Sequence, residues 1–137
     1  MASAKDFAAR GKVTAVKDGI IVFAPANTNY QLHLRTAKPY QGPIGELISA
    51  VIRVKARKIY TVPSGGGFIS PLFGPPRTIQ GRTLLVENGR LVLRAGVPLE
   101  VELPKSDDAI DLEEGPIGPG TIVNAVALPG ATFEQRG

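Results

Sequence analysis

The sequence predicts an all-β protein: two repeated β modules packed together as a double barrel or sandwich, with minimal helix. Three observations carry this. Two dipeptides that favour tight hairpins, Asp18-Gly19 and Asn88-Gly89, each sit between Val/Ile/Leu-rich runs of strand length. The order of features around the first hairpin recurs around the second. The 137 residues include 12 prolines and 16 glycines, about a fifth of the chain, which leaves little room for long helices.

The recurrence is residue by residue. GKVTAVKDGIIVFA (11–24) matches GRTLLVENGRLVLR (81–94), with Gly11 over Gly81, Val16 over Val86, Gly19 over Gly89 and Val22 over Val92. The alternating segments 30–35 and 99–104 follow. GPIG stands at Gly42–Gly45 and again at Gly115–Gly118, and LISAV (47–51) corresponds to IVNAV (122–126). We divide the chain into a first β repeat (1–62), a Pro/Gly-rich connecting segment (63–80) and a second β repeat (81–137). Chance likeness between short hairpins is the alternative. The doubled GPIG favours duplication.

Taken in order, Ser3 and Asp6 suit a short N-terminal turn running to Gly11. The first hairpin comes next, and then Tyr30–Arg35 alternates as a half-buried strand does. Ala50, Ile52, Val54 and Ala56 form one apolar face of a long strand, with Val51, Arg53, Lys55 and Arg57 on the other. The 63–76 segment reads as a linker by its Gly and Pro. Yet it carries Phe68, Ile69, Leu72 and Phe73, so it is expected to be ordered against this protein or another. Ser106 to Gly115 reads as a one- or two-turn helix, capped by Ser106, acidic at its start and stopped by Gly115.

This order of elements resembles an OB-fold: glycine-bearing first strand, hairpin, third strand, short connection, closing strands. GKVTAVKDGIIVF followed by GPIGELISAVIRVKA is similar to the small OB-type RNA-binding barrels of translation factors, best over 11–59 and less well over 81–128. SH3-like barrels share these glycines and alternating valines. The resemblance therefore implies two OB-like or SH3-like modules, and no functional residue is carried over from it. A lone module of this size buries little, so the two are expected to pack together.

Composition removes several chemistries. With no cysteine there is no disulfide, thiolate or iron–sulfur chemistry, and one histidine cannot make a His-rich metal site. The first residues are charged and lack an apolar signal core, and no apolar run is long enough to span a bilayer. The expectation is a cytoplasmic protein with no membrane partner.

Net charge is +4, unevenly spread. Residues 1–80 hold 11 Lys/Arg against 3 Asp/Glu, and residues 81–137 hold 5 against 9. A basic half invites a polyanion. It equally invites the acidic half, in the same chain or in another copy.

Four features bear on chemistry. His33 is the one histidine and the plausible proton-transfer residue, but no nucleophile motif accompanies it, and a plain surface histidine explains it. Asp107, Asp108, Asp111, Glu113 and Glu114 would suit a hard cation, yet their spacing is no EF-hand and they equally suit a solvated helix. Gly65-Gly66-Gly67 would let backbone amides face a phosphate, but no Lys-Ser/Thr follows as in a P-loop, and a turn explains it. The basic strand is the strongest feature.

The reading is a non-catalytic binding module with no metal and no cofactor. Arg53, Lys55, Arg57 and Lys58, with Lys12 and Arg35, are expected to hold phosphates of single-stranded nucleic acid or RNA. Tyr60 and Phe68 are expected to stack bases, with Tyr30 and Tyr40 as further aromatics. The plainer explanation is solvated charge protecting a strand edge. The alternative function is a self-associating structural or adaptor protein anchored by Phe68, Ile69, Leu72 and Phe73.

Overall fold

The two hairpin dipeptides turn the chain as their residue types demand. Asp18 and Gly19 have φ of 52° and 78°, and Asn88 and Gly89 have 41° and 78°. Two successive positive φ values give the tight turn whose twist matches the flanking strands. In this computed structural model, which describes residues 7–106, 109–112 and 115–136, the first turn joins β1 (Ala9–Lys17) to β2 (Ile20–Pro25). The second joins β7 (Thr78–Glu87) to β8 (Arg90–Arg94). The third strands are β3 (Gln31–Arg35) and β9 (Pro98–Glu102).

The two hairpins share one register. Val13 faces Phe23 and Ala15 faces Val22, with Thr14 as the bulged residue. Adding 70 to each number gives Thr83 facing Leu93 and Leu85 facing Val92, with Leu84 bulged. Gly11 and Gly81 occupy equivalent tight places. A Cβ would lie 2.4 Å from the Ala24 carbonyl oxygen at the first and 2.5 Å from that of Arg94 at the second. Only glycine admits so close a backbone.

The rest of the chain extends the same sheet. β4 (Ile48–Val62) is its longest strand, and β5 (Phe68–Ser70), β6 (Phe73–Gly74), β10 (Ile110–Asp111), β11 (Ile122–Ala127) and β12 (Thr132–Arg136) complete it. The principal path runs β1-β2-β3-β12-β4-β11-β7-β8-β9, and the strands at its two ends, β1 and β9, each also pair with β4. Residues of both halves thus alternate around β4 in one all-β sheet.

The two GPIG segments make different contacts with the first strands of the hairpins. Gly45 N–H donates to the Val13 carbonyl at 2.9 Å, while the matching donor to Thr83 is Gly120 at 2.7 Å, two residues past the second GPIG. Within LISAV and IVNAV, Ala50 pairs with Ala9 of β1 and Ala125 with Ile79 of β7.

The expected helix at 106–115 is corrected. Ala109 N–H donates to the Ser106 carbonyl, and Ile110–Asp111 form β10, which pairs parallel with Ile59 and Tyr60 of β4. Caps and acids favour a helix only weakly, and an edge that offers Ile110 a half-buried place outweighs them. Asp107, Asp108, Glu113 and Glu114, and the N-terminal turn at Ser3 and Asp6, lie outside the described residues. No helix among the described residues is long and apolar enough to cross a membrane.

The core fills the inner face of this sheet. Phe23 and Phe133 meet with ring centroids 5.4 Å apart, and Tyr40 lies edge-on to Phe133 at 5.8 Å. Tyr30 is 8% exposed, and its hydroxyl accepts the Ile69 N–H at 3.0 Å. Tyr30 is therefore a core residue rather than a stacking platform, and Tyr40 packs against that core. Ile69 is fully packed, which contributes roughly 2 kcal/mol and fastens the 63–76 segment to the protein.

Candidate nucleic-acid interface

The long strand β4 changes phase partway along. Ala56 faces Ala127 and Lys58 faces Val126, so Arg57 is the extra residue of a bulge. Before it, Ile52, Val54 and Ala56 point inward. After it, Ile59 and Thr61 do. Lys58, Tyr60 and Val62 are thereby turned outward.

Register then decides what stands beside them. Ile59, Ala125, Ile79 and Ile69 lie side by side across β4, β11, β7 and β5, all buried. Directly opposed residues share a face, so the alternate rows lie on the opposite face, exposed or half-buried except at Asn124, which is 6% exposed. One row is Lys58, Val126, Thr78 and Ser70; the next is Tyr60, Asn124, Gln80 and Phe68. The third, completed by β8, is Val62, Ile122, Arg82 and Arg94.

The outer face has two aromatics in its middle row and cations at both ends. Lys58 Nζ lies 6.0 Å from the Tyr60 ring centroid, a cation over an aromatic face. Phe68 is 40% exposed. Between the rings, Asn124 Nδ2 donates to Gln80 Oε1 at 3.3 Å, and Gln80 Nε2 donates to the Gly66 carbonyl at 2.9 Å. These bonds fix the floor and one wall. Asn124 Oδ1 is buried without a partner among the described residues.

The first stretch of β4 charge has a different setting. Arg53 Nε donates to Glu100 Oε2 at 2.7 Å and its Nη1 to Glu134 Oε2 at 3.1 Å. Glu100 is 4% exposed and also meets Arg90 Nη1 at 3.7 Å. Burial lowers the Arg53 pKa, but the hydrogen bonds and charges of Glu134 and Glu100 outweigh it and hold the guanidinium above its usual value. Lys55 stands beside Glu102, which faces Arg90, which faces Glu87, so charges alternate across β4, β9, β8 and β7. A cleft of about 310 Å³ over this ladder is lined by both signs, including Arg53, Lys55, Arg90, Glu100 and Glu102. The acids offset most of the positive charge of this lining and weaken its attraction for a polyanion.

Of the residues expected to act, Lys58, Tyr60 and Phe68 come together on the outer face. Arg57 is exposed at the bulge. Lys12, opposite Ala24, and Arg35, opposite Ile20, belong to the first meander and not to these rows. Leu72 and Phe73 are exposed at 56% and 64%. His33 shares its outer side with Gln31 and Arg35 but is half covered by Phe73, edge-on at 4.9 Å. Sequence reasoning missed Gln80, Asn124, Arg82 and Arg94. The arginine pair had a signal, since counting back from the Asn88-Gly89 turn through one bulge sets Arg82 opposite Arg94.

No protein-family model matches this chain, and no curated protein matches it by sequence.

Proposed function

We propose that the protein is a non-catalytic binding module for single-stranded nucleic acid, built as two joined OB-like barrels. The observation that carries the function is the outer face of β4, β11, β7 and β5. Tyr60 and Phe68 flank an amide pair, with Lys58 beyond on one side and Arg82 and Arg94 on the other. Rings stack on bases without regard to sequence, and the cations take the phosphates. Asn124 and Gln80 stand where strand packing would favour Val or Ile. Asn124 is only 6% exposed, so it fixes the Gln80 amide from beneath rather than meeting a ligand, and half-buried Gln80 keeps the floor between the rings polar.

The two-barrel reading rests on the pairings. One circuit runs β1-β2-β3-β12-β4 and returns to β1; another runs β4-β11-β7-β8-β9 and returns to β4. With the 70-residue offset between hairpins, this supports duplication followed by exchange of closing strands.

The test is fluorescence anisotropy of labelled single-stranded RNA and DNA at low and high salt. Saturable binding that Phe68→Ala weakens, and that Arg53→Gln leaves alone, is the expected result. Absence of binding at low salt refutes the reading.

A second reading, self-association, is favoured by the exposure of Leu72 and Phe73. It requires a mass in solution well above 14.4 kDa, reduced by Phe73→Ser. A monomer at every concentration removes it.

A further inference from the structure

The end of the outer face holds an arrangement that base stacking does not account for. Arg82 and Arg94 face each other directly across β7 and β8. Like charges directly opposed on a sheet repel. Neither guanidinium is ion-paired among the described residues, in contrast to Arg53 and Arg90. Among the described residues Arg82 is held by a backbone carbonyl, Nη1 donating to Gly120 O at 3.3 Å.

The glycine run at 65–67 lies on this pair. A Cβ on Gly67 would sit 3.0 Å from both the Arg94 carbonyl oxygen and Ala95 Cα, so the loop rests against the start of the β8–β9 turn. Gly66 has open space on its outer side, and its carbonyl is held by Gln80. The loop is therefore fixed in place, bare of side chains, and exposed. A cleft of about 320 Å³ opens between it and the arginines, lined by Gly65, Gly66, Gly67, Arg82, Arg94 and Ile122. A second cleft, sharing Gly65, Arg82 and Ile122, continues toward the Gly120 turn.

We infer that this cleft is an oxyanion site that takes a phosphate group between the Arg82 and Arg94 guanidinium groups and the backbone of the 65–67 loop. Two planar forks supply paired donors matched to phosphate oxygens. A loop without Cβ atoms lets the anion approach backbone N–H groups. An anion here also relieves the repulsion between the two cations. Among the described residues no acid lines either cleft, and Arg82 and Arg94 give that lining one sign of charge. The inference deepens the nucleic-acid reading, with which it shares both arginines. It extends that reading to phosphate carried by any small molecule.

The experiment is an amide-detected NMR titration of the full chain with inorganic phosphate, chloride balancing the ionic strength. The expected result is saturable shifts at Gly65, Gly66 and Gly67, at least tenfold weaker in Arg94→Gln, with the rest of the spectrum unchanged. Arg94 is exposed, so the variant is expected to fold as the parent does. Lys38→Gln, far from the cleft in sequence and exposed, is expected to titrate like the parent. No saturable shift in the parent overturns the site, and so do shifts that Arg94→Gln retains in full. Labelled RNA is titrated in parallel. Phosphate binding without RNA binding leaves this site standing and removes the stacking interface. RNA binding without phosphate binding does the reverse.

Discussion

Strand β4 carries two stretches of positive charge that meet opposite surroundings. Arg53 and Lys55 run beside β9, where Glu100 and Glu102 stand opposite them, and Arg53 also reaches Glu134 on β12. Lys58, five residues on, lies past the bulge and beside β11, which offers Val126. Both stretches look alike in composition. What separates them is the neighbouring strand, and hence the register. Charge on a strand becomes available to a partner only where the adjacent strands do not answer it.

The largest effect that sharpens this comparison is on stability. Arg53→Ala leaves Glu100 nearly buried with only Arg90 near, and is expected to cost roughly 2–3 kcal/mol, less than a fully buried pair because Arg53 is partly solvated. Lys58→Ala is expected to change stability by no more than about 0.5 kcal/mol. Thermal melts of the two variants decide it. Equal melting temperatures would erase the distinction.

Next in size is the response of binding to a ring on the open stretch. Phe68→Ala is expected to weaken RNA affinity by roughly 1–2 kcal/mol while urea unfolding stays close to the parent, since the ring is 40% exposed. Loss of stability without loss of affinity would reassign Phe68 to packing.

A smaller effect comes from a region outside both stretches. The Tyr40 hydroxyl donates to the Pro43 carbonyl at 2.7 Å, and burial, with the charge of Glu46, raises its pKa above 10.0. A raised value means that the neutral phenol is favoured in the fold. Its contribution is complete below pH 10 and is lost as pH rises through the raised value. Tyr40→Phe is expected to cost about 1 kcal/mol at neutral pH and to flatten the alkaline fall. An unchanged alkaline profile would show that other groups set it.

The smallest effect is electrostatic. Lys58→Gln is expected to reduce the slope of log affinity against log salt by about 0.7, the value of one single-strand phosphate contact. Lys55→Gln is expected to leave the slope unchanged, because its charge already faces Glu102.

Much of this was legible in the chain, for local reasons. Asp18-Gly19 and Asn88-Gly89 specify their own turns, and the 70-residue correspondence between hairpins follows from them. Lys58, Tyr60 and Phe68 were recognisable by type. Their meeting with Arg82 and Arg94 was not, because it depends on β11 lying between β4 and β7, a pairing that no local pattern specifies. Arg53 looked free for the same reason: its partners lie 47 and 81 residues away. Ile69 looked like an anchor for a partner until Tyr30 and β7 claimed it. The acidic run around Ile110 looked helical because caps and acids are read locally, whereas the open edge of β4 is a tertiary fact.

The proposed interface places the polyanion on the outer face beyond the bulge and not on the first basic stretch. The most direct test compares two triple variants by anisotropy with labelled single-stranded RNA at low salt. Lys58, Arg82 and Arg94 changed together to Gln are expected to lose at least tenfold in affinity. Lys12, Arg35 and Lys55 changed together to Gln, at equal net charge, are expected to bind within about twofold of the parent. Equal losses in the two variants would mean that only net charge matters, and a greater loss in the second would contradict the account.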